Sequence, residues 1–128
     1  MTRKSDIADI DFEIQFCEGV LQKKPDFVEA LTALGELYTR KGLFEKGLMV
    51  DEKLVQLKPD DPFVFYNLAC SYSLLNEINK SFRSIRKAIN CGYQNFEHLE
   101  RDHDLANLRR DSRFQHYYSR IKEQIKPF

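Results

Sequence analysis

At 128 residues, with zero formal net charge, 42% hydrophobic and 31% charged residues, the chain is sized for one domain with a sustained core. That balance excludes a disordered chain and gives no support to a strongly basic nucleic-acid binder or an anionic-membrane binder. No run approaches the roughly 18 apolar residues of a membrane span, and Met1-Thr2-Arg3-Lys4-Ser5-Asp6 lacks the apolar stretch of a secretory signal, so a soluble cytoplasmic protein is expected.

In chain order, residues 1–8 read as a flexible N-terminus and 9–126 as a single domain. Ile10, Ile14, Cys17, Val20 and Leu21 recur at three- and four-residue spacing and predict an amphipathic helix over about 9–24, capped by Ser5, Asp6 or Asp9 and ended by Pro25. Asp26 is the expected cap of a second helix, about 27–40, with the stripe Leu31, Leu34, Gly35 and Tyr38, and Gly42 is placed to stop it in the left-handed conformation. A third helix follows over about 44–57 and is broken by Lys58-Pro59-Asp60-Asp61-Pro62, where Asp61 as cap and Pro62 at the first helical position start the fourth, to about 75. The fifth runs through Ile78, Phe82, Ile85, Ala88 and Ile89 and ends at Asn90-Cys91-Gly92. Beyond it, Phe96 and Leu99 predict a short helix, Leu105 and Leu108 a single turn, and Phe114, Tyr117, Tyr118, Ile121 and Ile125 a final amphipathic helix begun by Asp111 or Ser112.

Two of these stretches repeat each other at a spacing of 34 residues: Leu31/Phe65, Leu34/Leu68, Gly35/Ala69, Tyr38/Tyr72, Phe44/Ile78, Leu48/Phe82, Leu54/Ala88 and Val55/Ile89. That period belongs to a helix-turn-helix array, whose units stack because none buries its apolar face alone. The units are a half repeat over 9–26, repeats over 27–60 and 61–93, and a C-terminal cap over 94–126.

The block Leu31-x-x-Leu34-Gly35-x-x-Tyr38, with Gly47 and Leu57-Lys58-Pro59, and its second copy Phe65-x-x-Leu68-Ala69-x-x-Tyr72 with Ser81 and Ala88, resemble the tetratricopeptide repeat. The ending Gly92-Tyr93-x-x-Phe96, Asp102-x-Asp104-Leu105-x-x-Leu108-Arg109-x-Asp111-x-Arg113-Phe114 is similar to the terminus of many bacterial proteins of this family and hints at a bacterial source. The resemblance implies an all-α fold, a right-handed superhelix of antiparallel helix pairs, and a non-catalytic scaffold that binds a protein or peptide in its concave groove. Asp51 departs from the pattern, standing where the family carries an aromatic and where Cys17 and Ile85 keep the matching positions apolar. Charged groups are rarely buried unpaired, so exposure or simple tolerance of Asp51 is expected.

The resemblance places the first helix of each unit along the groove. The face away from the packing stripe reads Glu29, Ala33, Glu36 and Arg40, then Phe63, Asn67, Cys70 and Leu74, with Tyr66 flanking. An acidic wall with apolar anchors at Phe63, Tyr66 and Leu74 suits an extended or helical segment carrying some positive charge. Some family members clamp the acidic C-terminus of heat-shock chaperones with Lys and Asn in the first unit and Lys and Arg in the third. Asn67 and Arg101 match that clamp, but Glu29, Ala33 and Glu97 do not, so chaperone tails are not the expected ligand. Self-association through an exposed stacking face is the competing reading, with an accessory role beside an enzyme or nucleic-acid complex behind it.

Other chemistry finds little support. Cys17, Cys70 and Cys91 are odd in number without a close pair, which fits free thiols, and Cys70 is a reactivity candidate only where exposed. His98, His103 and His116 lie in the cap, and Asp102-His103-Asp104 reads as a solvated loop, since adjacent residues rarely point at one ion. Without a Gly-rich phosphate loop or a paired nucleophile and base, neither a cofactor nor catalysis is expected. Arg109, Arg110, Arg113 and Arg120, interleaved with Phe114, Tyr117 and Tyr118, belong to a segment with an excess of four positive charges from Leu105 onward. The aromatics of a final helix are expected to pack inward, which leaves nucleic acid disfavoured.

Overall fold

The computed structural model describes residues 4–125, with side chains from residue 9 onward. The expected flexible start over 1–8 falls partly on residues 1–3, which lie outside the described residues, as does residue 126; from Lys4 the backbone is helical. Among the described residues all regular structure is helical: α1 (Lys4–Lys23), α2 (Val28–Lys41), α3 (Phe44–Leu57), α4 (Pro62–Leu74), α5 (Ile78–Asn90), α6 (Phe96–Arg101), a 3-10 turn (His103–Leu105), α7 (Ala106–Arg109) and α8 (Ser112–Ile125).

The boundaries follow from local chemistry. Gly42 takes φ 84° and closes α2, its N–H donating to the Thr39 carbonyl and the Leu43 N–H to that of Tyr38. The Asp61 carboxylate accepts from the N–H groups of Phe63 (2.9 Å) and Val64 (3.4 Å), with Pro62 at the first helical position of α4. Asp26, the expected cap of α2, does not serve: the N-cap is Phe27, without a side-chain bond, and Asp26 instead pairs with Lys53 of α3 at 3.3 Å. The helix starts one residue later than expected, which leaves the carboxylate one position short of the free N–H groups.

α2 packs on α3 and α4 on α5, while α1 lies against α2 and α3 against α4. Small residues set the approach within each pair. A Cβ on Gly47 would stand 3.3 Å from Thr39 Oγ1 and 3.7 Å from the Gly35 carbonyl oxygen. Ser81, 34 residues on, has no exposure and donates its hydroxyl to the Ala69 carbonyl at 2.7 Å.

Two apolar clusters result. Ile14, Cys17, Leu31, Leu34, Leu37, Tyr38, Val50, Leu54 and Val64 join α1 to α4. Tyr66, Ala69, Cys70, Ile85, Ala88, Tyr93, Leu99, Leu105, Leu108 and Phe114 join α4 and α5 to the cap. α4 belongs to both, so the array and its cap are one continuous body. Arg109 locks the cap by donating from Nη1 to the carbonyls of Leu99 (2.9 Å) and Asp102.

Candidate functional site

The inner faces of α2 and α4 and the end of α6 enclose a concave cavity of about 360 Å³. Its lining comes from α2 (Thr32, Gly35, Glu36, Thr39, Arg40), α3 (Asp51), α4 (Tyr66, Asn67, Cys70, Ser71) and the cap (His98, Asp102, Asp104). α6 begins at Phe96, 34 residues after the start of α4 at Pro62.

Of the residues expected to line a groove, Glu36, Arg40, Tyr66, Asn67 and Cys70 meet here. Glu29, Ala33, Phe63, Leu74 and Arg101 do not line the cavity. Glu29 and Ala33 are exposed and Leu74 is half-buried. Phe63 is 65% exposed with its ring edge-on to Tyr93, centroids 5.9 Å apart. Arg101 pairs with Glu97 at 3.2 Å. Tyr66 is no free anchor: its ring lies flat on Tyr93, centroids 4.4 Å apart, and its hydroxyl donates to Asp102 Oδ2 at 2.7 Å.

One sequence expectation is overturned. Asp51 is 6% exposed, not tolerated on the surface, and its carboxylate accepts from the Ser71 hydroxyl across the α3–α4 crossing. Burial raises it from the usual carboxylate range to about 6, against the opposing pull of that hydrogen bond. Cys70 is 7% exposed. Burial, then the charges of Asp102, Asp104 and Asp51, push its thiol well above the ordinary value, so it stays neutral and unreactive.

Around Cys70 the carboxylates converge. Asp102 ends α6 and starts the 3-10 turn, Oδ1 accepting from the Asp104 N–H at 3.0 Å while Oδ2 lies 3.3 Å from His98 Nε2. Asp104 is half-buried and its carboxylate accepts no hydrogen bond among the described residues; burial, then the charge of Asp102, raises it. Ligand atoms of Cys70, Asp102 and Asp104 lie within 4.8 Å of one another, the set that could approach a metal ion. Four carboxylates thus line the cavity against one guanidinium and one imidazole. Sequence reasoning singled out Asp51, Asp102 and Asp104, but nothing along the chain pointed to their meeting.

The basic C-terminal segment is largely committed. Arg109 serves backbone carbonyls, and Arg113 bonds to Asp111 and, at 2.7 Å, to Asn79. Phe114 is buried, stacked on Tyr118 at 5.4 Å and edge-on to Phe82 at 6.2 Å. Inward packing takes these rings away from stacking on bases.

No family model matches the chain. Over 100 residues, 76% of its length, it is 29% identical to a chloroplastic protein of Arabidopsis thaliana. Over 84 residues, 62% of its length, it is 34% identical to human tetratricopeptide repeat protein 13. It spans only 28% and 10% of those two relatives. Among solved structures, MamA 41-end from Desulfovibrio magneticus RS-1 superposes with a TM-score of 0.65 at 15% identity, covering 96% of this chain and 72% of the other, a likeness of fold. No helix among the described residues is long and apolar enough to cross a membrane.

Proposed function

We propose that this chain, a tetratricopeptide-repeat protein, acts as a non-catalytic scaffold that holds a segment of another protein in the cavity between α2, α4 and the cap. The observation that carries this reading is the cavity's construction. Side chains from residue 32 to residue 104 converge on one concavity, held by a packed array that loses little freedom on binding. Asn67 supplies a donor and an acceptor for a bound backbone, and Glu36 and Arg40 supply polar walls.

The test is affinity capture from a lysate of the source organism, comparing wild type with a Glu36→Ala, Arg40→Ala, Asn67→Ala variant. These three are exposed, so helicity should be unchanged. Loss of a specifically captured protein in the variant supports the reading; equal retention refutes the groove.

A second reading, self-association, rests on Phe12 and Phe16, which are 70% and 65% exposed on α1. Phe16 is in register with Val50 and Ser84, both buried, so α1 exposes an aromatic at a position that the later units bury. Sedimentation over a range of concentrations, beside a Phe12→Ser, Phe16→Ser variant, distinguishes the two readings.

A further inference from the structure

Resting on the groove reading above, we propose that the cavity recognises an arginine side chain of the bound segment, its guanidinium received between Asp51 and Asp104 above Cys70. The first ground is an unneutralised surplus of negative charge. Glu36, Asp51, Asp102 and Asp104 face one cavity, and the positive groups there are Arg40, which makes no ion pair among the described residues, and His98, engaged by Asp102.

The second ground is the burial of one of these carboxylates with an oxygen unserved. Asp51 is more than nine-tenths buried, lines the cavity, and meets no cation among the described residues. Ser71 serves Oδ2, while Oδ1 accepts no hydrogen bond among the described residues. The matching positions of the neighbouring units, Cys17 and Ile85, are apolar and buried. A carboxylate in place of a packed apolar group costs stability unless a donor reaches it. A ligand cation is the group that would satisfy it.

Size and geometry select among cations. Ligand atoms of Cys70, Asp102 and Asp104 lie within 4.8 Å of one another, but burial holds the Cys70 thiol protonated, and it would have to lose that proton to bind a metal ion. Asp102 Oδ2 is moreover already taken by the Tyr66 hydroxyl. A cavity of about 360 Å³ has room for on the order of ten waters, enough for a side chain with its stem. Among cationic side chains, a planar fork can engage two carboxylates at once, and guanidinium sheds water more readily than ammonium.

The experiment titrates wild-type protein with four capped nine-residue peptides, identical except for a central Arg, Lys, citrulline or Glu, read by amide shifts in nitrogen-15 NMR. The Arg peptide should shift the amides of Gly35, Asp51, Cys70 and Asp104, bind at least tenfold more tightly than its citrulline counterpart, and weaken with salt. Asp104→Asn and Asp51→Asn should each weaken it about tenfold, with thermal melts confirming folding. Equal binding of Arg and citrulline peptides overturns the proposal without relying on any variant. So does uptake of one equivalent of cobalt(II) with a thiolate charge-transfer band, which would make the cluster a metal site. Peptides that perturb the cavity amides regardless of central charge leave the groove reading standing and end this one, whereas a captured partner indifferent to the cavity ends both.

Discussion

The Asp51 carboxylate accepts the Ser71 hydroxyl hydrogen between α3 and α4, and this single bond holds a buried anion where both in-register residues, Cys17 and Ile85, are apolar. The arrangement makes Asp51 a local cost to the fold that should be visible in its pH dependence.

With Asp51 raised to about 6 when folded and near its ordinary value when unfolded, the folded state binds more protons between those limits. Stability from this group is therefore greatest below about pH 4, falls as pH rises through about 6, and levels off above, a span of up to about 3 kcal/mol. Asp51→Asn, which keeps an acceptor for Ser71, should melt several degrees higher than wild type at pH 7.5 and close to it at pH 4.5. A melting-temperature difference that is the same at both pH values would disprove the assignment.

Gly35 is coupled to the same carboxylate. A Cβ there would stand 3.2 Å from Asp51 Oδ1 and 3.5 Å from Val50 Cγ1, while the second repeat carries Ala69 and Ile85 at the matching positions. Gly35→Ala alone should forfeit the gain of about 1 kcal/mol that removing a mid-helix glycine offers. Combined with Asp51→Ile it should recover that gain, so that chemical denaturation shows the double variant more stable than the sum of the singles. Additivity within about 0.3 kcal/mol would count against the contact.

Arg109 ties the end of α6 to α7 through the carbonyls of Leu99 and Asp102. Arg109→Met leaves both carbonyls without that donor and should cost roughly 2–3 kcal/mol in urea denaturation, at about 1.5–3 kcal/mol for a charged hydrogen bond. Arg109→Lys should recover only part of this, because both bonds come from Nη1 and the lysine side chain is one atom shorter, so its ammonium falls short of that position. A loss below about 0.5 kcal/mol for Met would mean that the cap is held by apolar packing alone.

The thiols should separate kinetically. Cys17 and Cys70 are buried and their thiols are raised, by burial first in both, whereas Cys91 is half-buried. In the native protein a disulfide reagent such as DTNB should modify one thiol per chain quickly, lost in Cys91→Ser, and the other two only on unfolding. Fast modification of Cys70 would contradict its burial.

Much of the architecture was legible along the chain because it is local. Apolar spacing identified the helices, and Gly42, Asp61 and Pro62 marked ends and starts. The sequence misleads where one residue of register matters, as at Asp26, which misses the cap of α2, or where charge alone is weighed, as at Asp51, whose charge argues for exposure or simple tolerance but which the α3–α4 crossing buries.

By itself the sequence determined the 34-residue unit and the helix pairs, since periodicity and capping depend on neighbours a few positions apart. Only the tertiary structure decided that Asp51, Cys70, Asp102 and Asp104 share one cavity and that Tyr66 is spent on Tyr93 and Asp102. The physical reason is that burial and electrostatic surplus arise from groups distant in the chain: α3, α4 and the cap bring these carboxylates together by packing, and no spacing along a single helix encodes it.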